Sequence, residues 1–315
     1  GPPTSRTPPR GPPPPPPPPP APRGGGGGLA RLGPLPWIGP AVLLIVLVVL
    51  WPVFEMVRTS FLRISSSGFV RGPAGFDKYR QLFDEPALPS VVLATVVWTL
   101  VVVTATMVLS LALAQLFNQR FPGRRLTRWA LIAPWAASVV MTAIGFKWML
   151  DRTAGVLNTL MTDLGIVDGP KDWLGDSATA WPWMMFVAVF VSLPFTTYTL
   201  LAGLQTVPAE VYEAARVDGT TPWQTYLRIT LPLLRPALLV GMVINLINVF
   251  NSFPIIWSMT RGGPDSDTAT TTVFMYQLKN ADIGQSAAMS VVNFALVVLM
   301  VVLFLKATRW NQEES

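Results

Sequence analysis

The sequence predicts an all-α protein that is integral to a membrane and crosses it six times. Hydrophobic residues make up 51% of the 315 residues and charged residues only 13%, a more apolar balance than that of soluble domains. The apolar residues are gathered into long runs without charge, and about 20 such residues cross the hydrocarbon core as a helix, with ~17 as the lower limit. The predicted spans lie at 32–54, 86–119, 129–146, 177–209, 236–260 and 283–305.

The first span follows a segment of different composition. Residues 1–36 are rich in proline and glycine and cannot form a hydrophobic core, so we expect a disordered arm. The arm is either dispensable or a segment that a proline-recognising partner binds. The six-helix membrane domain then occupies 37–310, and a short tail follows at 311–315.

The later spans differ in length. The second and fourth runs are long enough to hold a span and an additional interfacial piece. The third run is the shortest, and it extends past Lys147, whose aliphatic stem can reach the interface while its charge stays in water. Glu55 and Lys147 both lie near the outer end of a span. Interfacial anchoring is one interpretation of these charges, and a proton relay is the other.

Charge asymmetry predicts the orientation. The turn between the second and third spans carries four arginines, at 120, 124, 125 and 128. Together with the two termini and the segment between the fourth and fifth spans, it holds 13 basic residues against five acids. The remaining connections taken together carry more acids than bases. Because short cytoplasmic loops hold the excess of Lys and Arg, both termini are expected in the cytoplasm of a cell whose inner or plasma membrane holds this multi-pass protein.

The residue types that are missing exclude several kinds of chemistry. The chain has no Cys and no His, which excludes disulfides, thiolate nucleophiles and acid–base catalysis by histidine. It also has no phosphate-binding loop of the GxxxxGK[ST] type. We therefore expect no enzyme activity, metal or cofactor in this chain, and any ATP and Mg²⁺ must bind to a separate subunit.

A polar cassette, Glu213–Pro236, separates the fourth and fifth spans. A helix at about 208–222 is predicted here, with Gly219 ending it in the left-handed conformation. Pro222 is expected to start a second short helix, and the Leu231–Pro232 pair to turn the chain into the fifth span. A short charged helix between two membrane spans is typical of a surface that contacts a partner.

The fifth span carries a polar stripe. Asn245, Asn248 and Ser252 recur at helical spacing on one face, with Asn251 at its edge. Polar groups within a span tend to face a bundle interior or a water-filled cavity, and a sugar would need such groups to replace its water. The stripe predicts a pathway for a polar cargo, although asparagines that join two helices would give the same pattern.

The cassette also matches a signature sequence, carried by Glu213, Ala214, Ala215, Asp218, Gly219, Ile229, Leu231, Pro232 and Pro236. This pattern resembles the EAA motif of permeases from binding-protein-dependent ABC importers. In that family the motif forms a coupling helix that sits in a groove of the ATPase subunit. The resemblance implies the type I permease fold, and it assigns contact with an ATPase to Glu213, Ala214, Ala215, Arg216, Asp218 and Gly219.

A second set of residues resembles one branch of that family. The loop Thr260–Pro264, together with Thr268–Thr272 and Tyr276, is similar to the TxGGP loop of the carbohydrate-uptake permeases. Pro134 and the pair formed by Asn158 and Trp173–Leu174 also fit this branch, and the resemblance covers roughly 37–310. It implies a sugar as cargo, with contacts from the span before the coupling helix at Ser192 and Phe195 and from the fifth span at Asn245, Asn248 and Ser252.

The sequence therefore predicts one permease subunit of an ATP-driven sugar importer. The specific cargo expected is a disaccharide such as trehalose, since the first permease subunit of the trehalose importer is the nearest likeness. The expected partners are a second related permease, two copies of an ATPase and an external sugar-binding protein, which would be either a lipoprotein or soluble. The alternative is an ion-driven secondary transporter of small polar solutes. An intramembrane hydrolase and a membrane scaffold are further alternatives.

Overall fold

The computed structural model describes residues 35–65 and 67–313 of the chain. The chain divides into two units, Gly1–Val53 and Phe54–Ser315. The predicted arm at 1–36 lies outside the described residues up to residue 34. The first described elements are α1 (Leu35–Ile45), a π-helical turn (Val46–Leu50) and α2 (Trp51–Ser60).

The second unit is mostly helical and contains one small hairpin within its described part. Strands β1 (Leu62–Ile64) and β2 (Val70–Pro73) pair in antiparallel fashion, a detail that the all-α prediction did not include. The remaining helices are α3 (Asp77–Phe83), α4 (Leu88–Asn118), α5 (Arg124–Ala136), α6 (Val139–Met149), α7 (Val156–Asp163), α8 (Ser177–Leu204), α9 (Ala209–Val217), α10 (Pro222–Thr225), α11 (Leu231–Leu233), α12 (Arg235–Phe250), α13 (Phe253–Met259), α14 (Thr271–Ala281) and α15 (Ile283–Glu313).

Five helical stretches in the described chain are long and apolar enough to cross a membrane, and they match five of the six predicted runs. These stretches are Ile38–Ser60, Leu88–Asn118, Ser177–Leu204, Arg235–Met259 and Ile283–Lys306. The helical class and these five spans could be predicted because about 20 apolar residues are needed to cross the hydrocarbon core.

The predicted third span, 129–146, is not a single helix. Its residues are divided between α5 and α6, and only α6 is apolar along its length. Ser138 lies between the two helices with extended backbone angles (φ −62°, ψ 140°), and Pro134 removes one hydrogen-bond donor from the last turns of α5. A run without charge predicts where a span can lie, but it does not reveal an interruption of two residues.

The predicted fifth span, 236–260, is also interrupted. α12 ends at Phe250 and α13 begins at Phe253, so that Asn251 and Ser252 are not helical. Pro254 has no N–H to donate to the Phe250 carbonyl, which removes a helical hydrogen bond at this point. The polar stripe is therefore carried by a helix and by the break that follows it.

The core lies where α4 packs along α8 and α12. Buried positions on α4 recur at helical spacing, including Val91, Thr95, Trp98, Val102 and Thr106. The other faces of the same helix carry exposed leucines and valines, as expected for residues that meet lipid. This packing places the broken fifth span beside α4 and α8.

Candidate functional site

A polar cavity opens beside the break in the fifth span. Its volume is about 460 Å³, within the range of roughly 300–1,000 Å³ found for small-molecule sites. Residues of α8, α12 and α13 and of the junction between α5 and α6 form its walls. The lining residues are Trp135, Ala137, Val139, Val191, Ser192, Phe195, Thr196, Ile244, Asn245, Asn248, Asn251, Ser252, Pro254 and Ile255.

The structure brings all of the predicted pathway residues to this cavity. Ser192 and Phe195 reach it from α8, and Asn245 and Asn248 reach it from α12. The other two, at positions 251 and 252, lie in the non-helical break. These positions are far apart along the chain, and the packing of α8 against α12 brings them together. Their contact with a cargo stays a prediction.

Asn245 is the most unusual polar group of the cavity. Its side chain is 2% exposed, and neither its Oδ1 nor its Nδ2 has a hydrogen-bond partner in the described chain. A buried amide without a partner costs about 1–3 kcal/mol. An asparagine that joins two helices would use these atoms, so this explanation of the stripe does not fit Asn245. Both atoms are unpaired but buried in the cavity wall, so a polar ligand would pair with them once the side chain turns toward the cavity.

The neighbouring polar side chains are partly occupied by local hydrogen bonds. Asn251 Nδ2 donates to the Ile247 carbonyl at 2.9 Å, and Ser252 Oγ donates to the Val249 carbonyl at 2.7 Å. The oxygen atoms of both side chains can still accept a hydrogen bond. The cavity therefore offers acceptors at its break and a complete amide at Asn245.

The cavity carries no charge of its own in the described chain, because none of its lining residues is ionisable. One wall is open: Trp135 is 58% exposed and Phe195 is 38% exposed. An uncharged polar surface with aromatic groups at its edge suits a neutral, hydroxyl-rich molecule. The open aromatic wall is suited to cover by another membrane-spanning chain.

Sequence reasoning missed two functional candidates. Thr196 lies one helical turn after Ser192, and its Oγ donates to the Ser192 carbonyl at 2.9 Å. Its position four residues after a predicted site residue was an available signal. Trp135 reaches the cavity because the chain is interrupted at Ser138, and that interruption could not be read from hydropathy.

The predicted coupling helix corresponds to α9. Pro208 precedes it with extended backbone angles (φ −61°, ψ 144°). Ala215 is 2% exposed and is the buried residue of this helix. The remaining predicted contact residues, at positions 213, 214, 216, 218 and 219, are all exposed in the described chain. The helix therefore presents a charged outer face, and its buried side is carried by Ala215.

The end of α9 has the expected geometry. Gly219 adopts a left-handed conformation with φ 71°, as predicted. The backbone N–H of Thr220 donates to the Ala215 carbonyl at 3.1 Å, and the Thr220 hydroxyl donates to the same carbonyl at 2.8 Å. These bonds satisfy carbonyl groups that the helix end leaves open. The sharp turn holds α9 and α10 together.

The prediction that the chain turns at Leu231–Pro232 is wrong, because both residues lie in α11. A capping box formed by Thr221 and Gln224 starts α10, and a π-helical segment, Tyr226–Thr230, and α11 carry the chain on to α12. Proline is tolerated in the first turn of a helix, where its missing N–H has no partner to lose. Pro232 occupies such a position in α11, and the chain turns at Leu234, after α11 ends and before α12 begins at Arg235.

A second cavity, of about 270 Å³, lies between the cassette and the end of α4. Gln115 of α4 and Arg216 of α9 both line it. Tyr226 also lines it, and burial raises the pKa of its phenol above the ordinary value. Trp223 stacks on Tyr226 with ring centroids 6.1 Å apart. The cassette and the end of the second span therefore face one shared cavity.

The loop that follows α13 is held by its threonines. The hydroxyls of Thr260 and Thr268 are 2.8 Å apart, and Thr268 donates to the Gly263 carbonyl at 2.7 Å. Trp181 of α8 donates to the Asp267 carbonyl at 3.1 Å. The threonines that the sequence singled out thus shape a loop fastened to α8, and they do not line the cavity.

The comparisons with known proteins agree on one family. The family model described as "Binding-protein-dependent transport system inner membrane component" matches residues 31–311. A probable ABC transporter permease protein of Brucella suis is 34% identical over 276 residues, covering 87% of this chain and 96% of that protein. The sulfoquinovosyl glycerol transport system permease protein of Agrobacterium fabrum is 32% identical over 275 residues, covering 86% and 89%.

Two further similarities agree with these. The trehalose/maltose transport system permease protein of Thermococcus litoralis is 33% identical over 220 residues, covering 70% of this chain and 74% of that protein. Among solved structures, a chain of a bacterial alginate ABC transporter superposes with a TM-score of 0.75 at 20% identity. That superposition covers 88% of this chain and 94% of the other, and it shows a shared fold.

Proposed function

Since the chain belongs to the family of binding-protein-dependent transport system inner membrane components, we propose that it forms half of the translocation pathway of an ATP-driven sugar importer. Members of this family are permease subunits and not themselves enzymes. The observation that carries the cargo proposal is the uncharged polar cavity, where the Asn245 amide has no partner in the described chain.

The cavity chemistry supports a carbohydrate. A sugar that leaves water must regain hydrogen bonds to amides and hydroxyls, and the cavity offers three asparagines, two serines and a threonine beside aromatic side chains. The relatives named for trehalose and maltose and for sulfoquinovosyl glycerol are 33% and 32% identical to this chain. We propose a disaccharide such as trehalose as the cargo.

The open wall supports a two-chain pathway. Trp135 and Phe195 are exposed at its edge, and they also line an adjoining apolar cavity of about 420 Å³. A second, related permease packed on this face would enclose the cargo between two subunits. The pathway would then be completed only in the assembled transporter.

The coupling function is proposed for α9. Glu213, Arg216 and Asp218 lie exposed on a short helix and at its end, and Ala215 is the buried residue of that helix. Charged groups at the rim of such a surface suit a partner with complementary charge. An ATPase dimer that binds ATP and Mg²⁺ would dock there. When the dimer closes, α9 would move with it and shift α8 and α12. An external sugar-binding protein, either lipid-anchored or soluble, would deliver cargo from the other side.

An ion-driven secondary transporter is less well supported. Such a transporter needs an ionisable relay within the membrane, and the residues that line the cavity in the described chain are all neutral. The family also consists of components that depend on a binding protein. The two mechanisms differ in their energy source, which an uptake experiment measures.

The test is uptake by the complete importer in vesicles. The chain is reconstituted with its partner permease, ATPase and binding protein, and accumulation of radiolabelled trehalose, maltose and a charged control solute is measured. We expect uptake of a neutral disaccharide that requires internal ATP and survives dissipation of ion gradients. Uptake that follows an ion gradient without ATP would establish the alternative. Transport of the charged solute alone would contradict a sugar cargo.

A further inference from the structure

The break in the fifth span leaves backbone polar groups at membrane depth. Asn251 and Ser252 are not helical, and Pro254 gives no N–H to the carbonyl one turn before it. Non-helical backbone is tolerated within a membrane only where its polar groups find partners in the protein or in a water-filled cavity. The shape of the break therefore depends on the donors that surround it.

One donor comes from a different helix. Trp98 lies on α4 with its side chain completely buried (0% exposed), and its Nε1–H donates to the Val249 carbonyl at 3.1 Å. Ser252 donates to the same oxygen through its backbone N–H at 3.2 Å and through its Oγ at 2.7 Å. Among the hydrogen bonds of the described chain, no other side chain on a different helix donates to a carbonyl of this break.

Trp98 acts from behind the cavity wall. It is not among the residues that line the cavity, whereas Asn248, Asn251 and Ser252 on either side of its hydrogen bond all line it. The Trp98 ring packs on Trp181 of α8 with centroids 5.7 Å apart. The indole is thus fixed by its own packing, and it cannot touch a cargo directly.

We propose that Trp98 is a positioning residue of the cavity. Its indole N–H fixes the Val249 carbonyl, and this sets the direction in which the break presents Asn248, Asn251 and Ser252. The role of Trp98 in transport rests on the proposed function. It also makes a claim about cavity geometry that holds whatever the cargo is.

The geometry is tested with a single reporter thiol, because the chain has no native Cys. Asn251→Cys is introduced into the assembled transporter, and its labelling rate with a water-soluble methanethiosulfonate reagent is measured. The rate is compared with native Trp98, with Trp98→Phe, and with β-(3-benzothienyl)alanine at position 98, which keeps the bicyclic ring but lacks the N–H. A net hydrogen bond of 0.5–1.5 kcal/mol corresponds to about a 2- to 10-fold change in an equilibrium between two conformations. Both replacements should therefore change the labelling rate by about the same factor.

β-(3-benzothienyl)alanine at position 181 is the matched control, because it keeps a bicyclic ring against Trp98. It also removes an indole hydrogen bond to a backbone carbonyl, that of Asp267, but this carbonyl lies outside the cavity wall. The control should label at the native rate. If the benzothienyl replacement at position 98 also labels at the native rate, the positioning role is overturned. This replacement keeps the test decisive even where Trp98→Phe fails to fold.

Uptake kinetics separate the two proposals. Without the reporter thiol, the benzothienyl replacement should raise the KM for the sugar by about 2- to 10-fold while changing the maximal rate little. An equal loss of rate and of assembled protein, with unchanged KM, would indicate a structural role only and overturn the inference. If the native complex imports no sugar but labelling still depends on the indole N–H, the proposed function fails and the positioning role stands.

Discussion

Lys78 and Asp282, 204 positions apart in the chain, form an ion pair that joins α3 to the start of α15. Lys78 Nζ donates to Asp282 Oδ2 at 2.5 Å and to Gln81 Oε1 at 3.0 Å. The Lys78 side chain is only 9% exposed and that of Asp282 is 27% exposed. The pair therefore fastens the segment before the second span to the beginning of the last one.

Asp282→Asn should destabilise the protein, because the buried Lys78 ammonium loses its counter-charge. We expect the free energy of unfolding to fall by about 1–3 kcal/mol, measured by thermal or denaturant unfolding in detergent. Asp77→Asn is the control, since the Asp77 pair with Arg63 is exposed on both sides (44% and 59%); its effect should stay within about 1 kcal/mol. Equal effects of the two substitutions would contradict this ranking.

Asn158→Asp should loosen the segment between α6 and α8. Asn158 Nδ2 donates to the carbonyls of Asp151 and Lys171, and Asn158 Oδ1 accepts from the Lys171 N–H and from Trp173 Nε1. A carboxylate cannot donate to the two carbonyls, so the substitution places a carboxylate oxygen against two carbonyl oxygens, all of them acceptors. Hydrogen exchange of residues 151–173 should accelerate, and more than in Trp173→Phe, which removes one bond. The opposite order would exclude Asn158 as the centre of this network.

Asn245→Leu should reduce transport without reducing stability. The Asn245 amide has no partner in the described chain, so an apolar side chain of similar size removes a desolvation penalty of about 1–3 kcal/mol. A cargo that uses the amide should lose affinity by about 10-fold or more, because the bound sugar is left with unpaired groups. Uptake KM and the unfolding midpoint are measured together.

Asn293→Leu is the matched control for that substitution. Asn293 is also buried, at 7% exposed, but its Oδ1 accepts from the Thr271 hydroxyl at 2.7 Å, and it does not line the cavity. This variant should lose stability and keep the KM of any transporter that assembles. Asn248→Leu, at the exposed side of the cavity, should lower uptake while assembly is retained. Unchanged transport in both cavity variants would refute the site.

Glu213→Lys should uncouple ATP hydrolysis from uptake. The side chain is exposed on α9, and reversing one charge at a small docking surface weakens binding of a complementary partner. ATPase activity per transported sugar should rise, or the ATPase should co-purify in reduced amount. Glu210→Lys makes the same change one turn earlier on the helix, outside the signature residues, and should have the smaller effect. Normal coupling in Glu213→Lys would contradict the docking assignment.

Gly219→Ala should disturb the turn that ends α9. The glycine has φ 71°, and an added Cβ would meet no atom within 4 Å, so the penalty is conformational and not a steric clash with neighbours. Alanine in the left-handed region costs about 1 kcal/mol or more, whereas asparagine tolerates it better. We expect uptake to decrease in the order Gly, Asn, Ala. An alanine variant as active as the native protein would show that the turn is not required.

The site residues were partly predictable for a local reason. Asn245, Asn248 and Ser252 share a face because helical periodicity is a property of a short segment, and Gly219 ends a helix because glycine alone enters the left-handed region without penalty. The partners of these residues were not predictable in the same way. Nothing near Trp98 in the chain indicates Val249, and nothing near Asn245 indicates that its amide lacks a partner.

By itself, the sequence determined the membrane class, the approximate limits of most spans and the polar cassette between the fourth and fifth. These follow from composition and spacing, since the thickness of the hydrocarbon core fixes how long an apolar run must be. Only the tertiary structure decided that the third and fifth spans are interrupted, that α8 and α12 enclose one cavity, and that Trp98 holds its wall. Such features depend on which distant groups meet, and packing in three dimensions decides this.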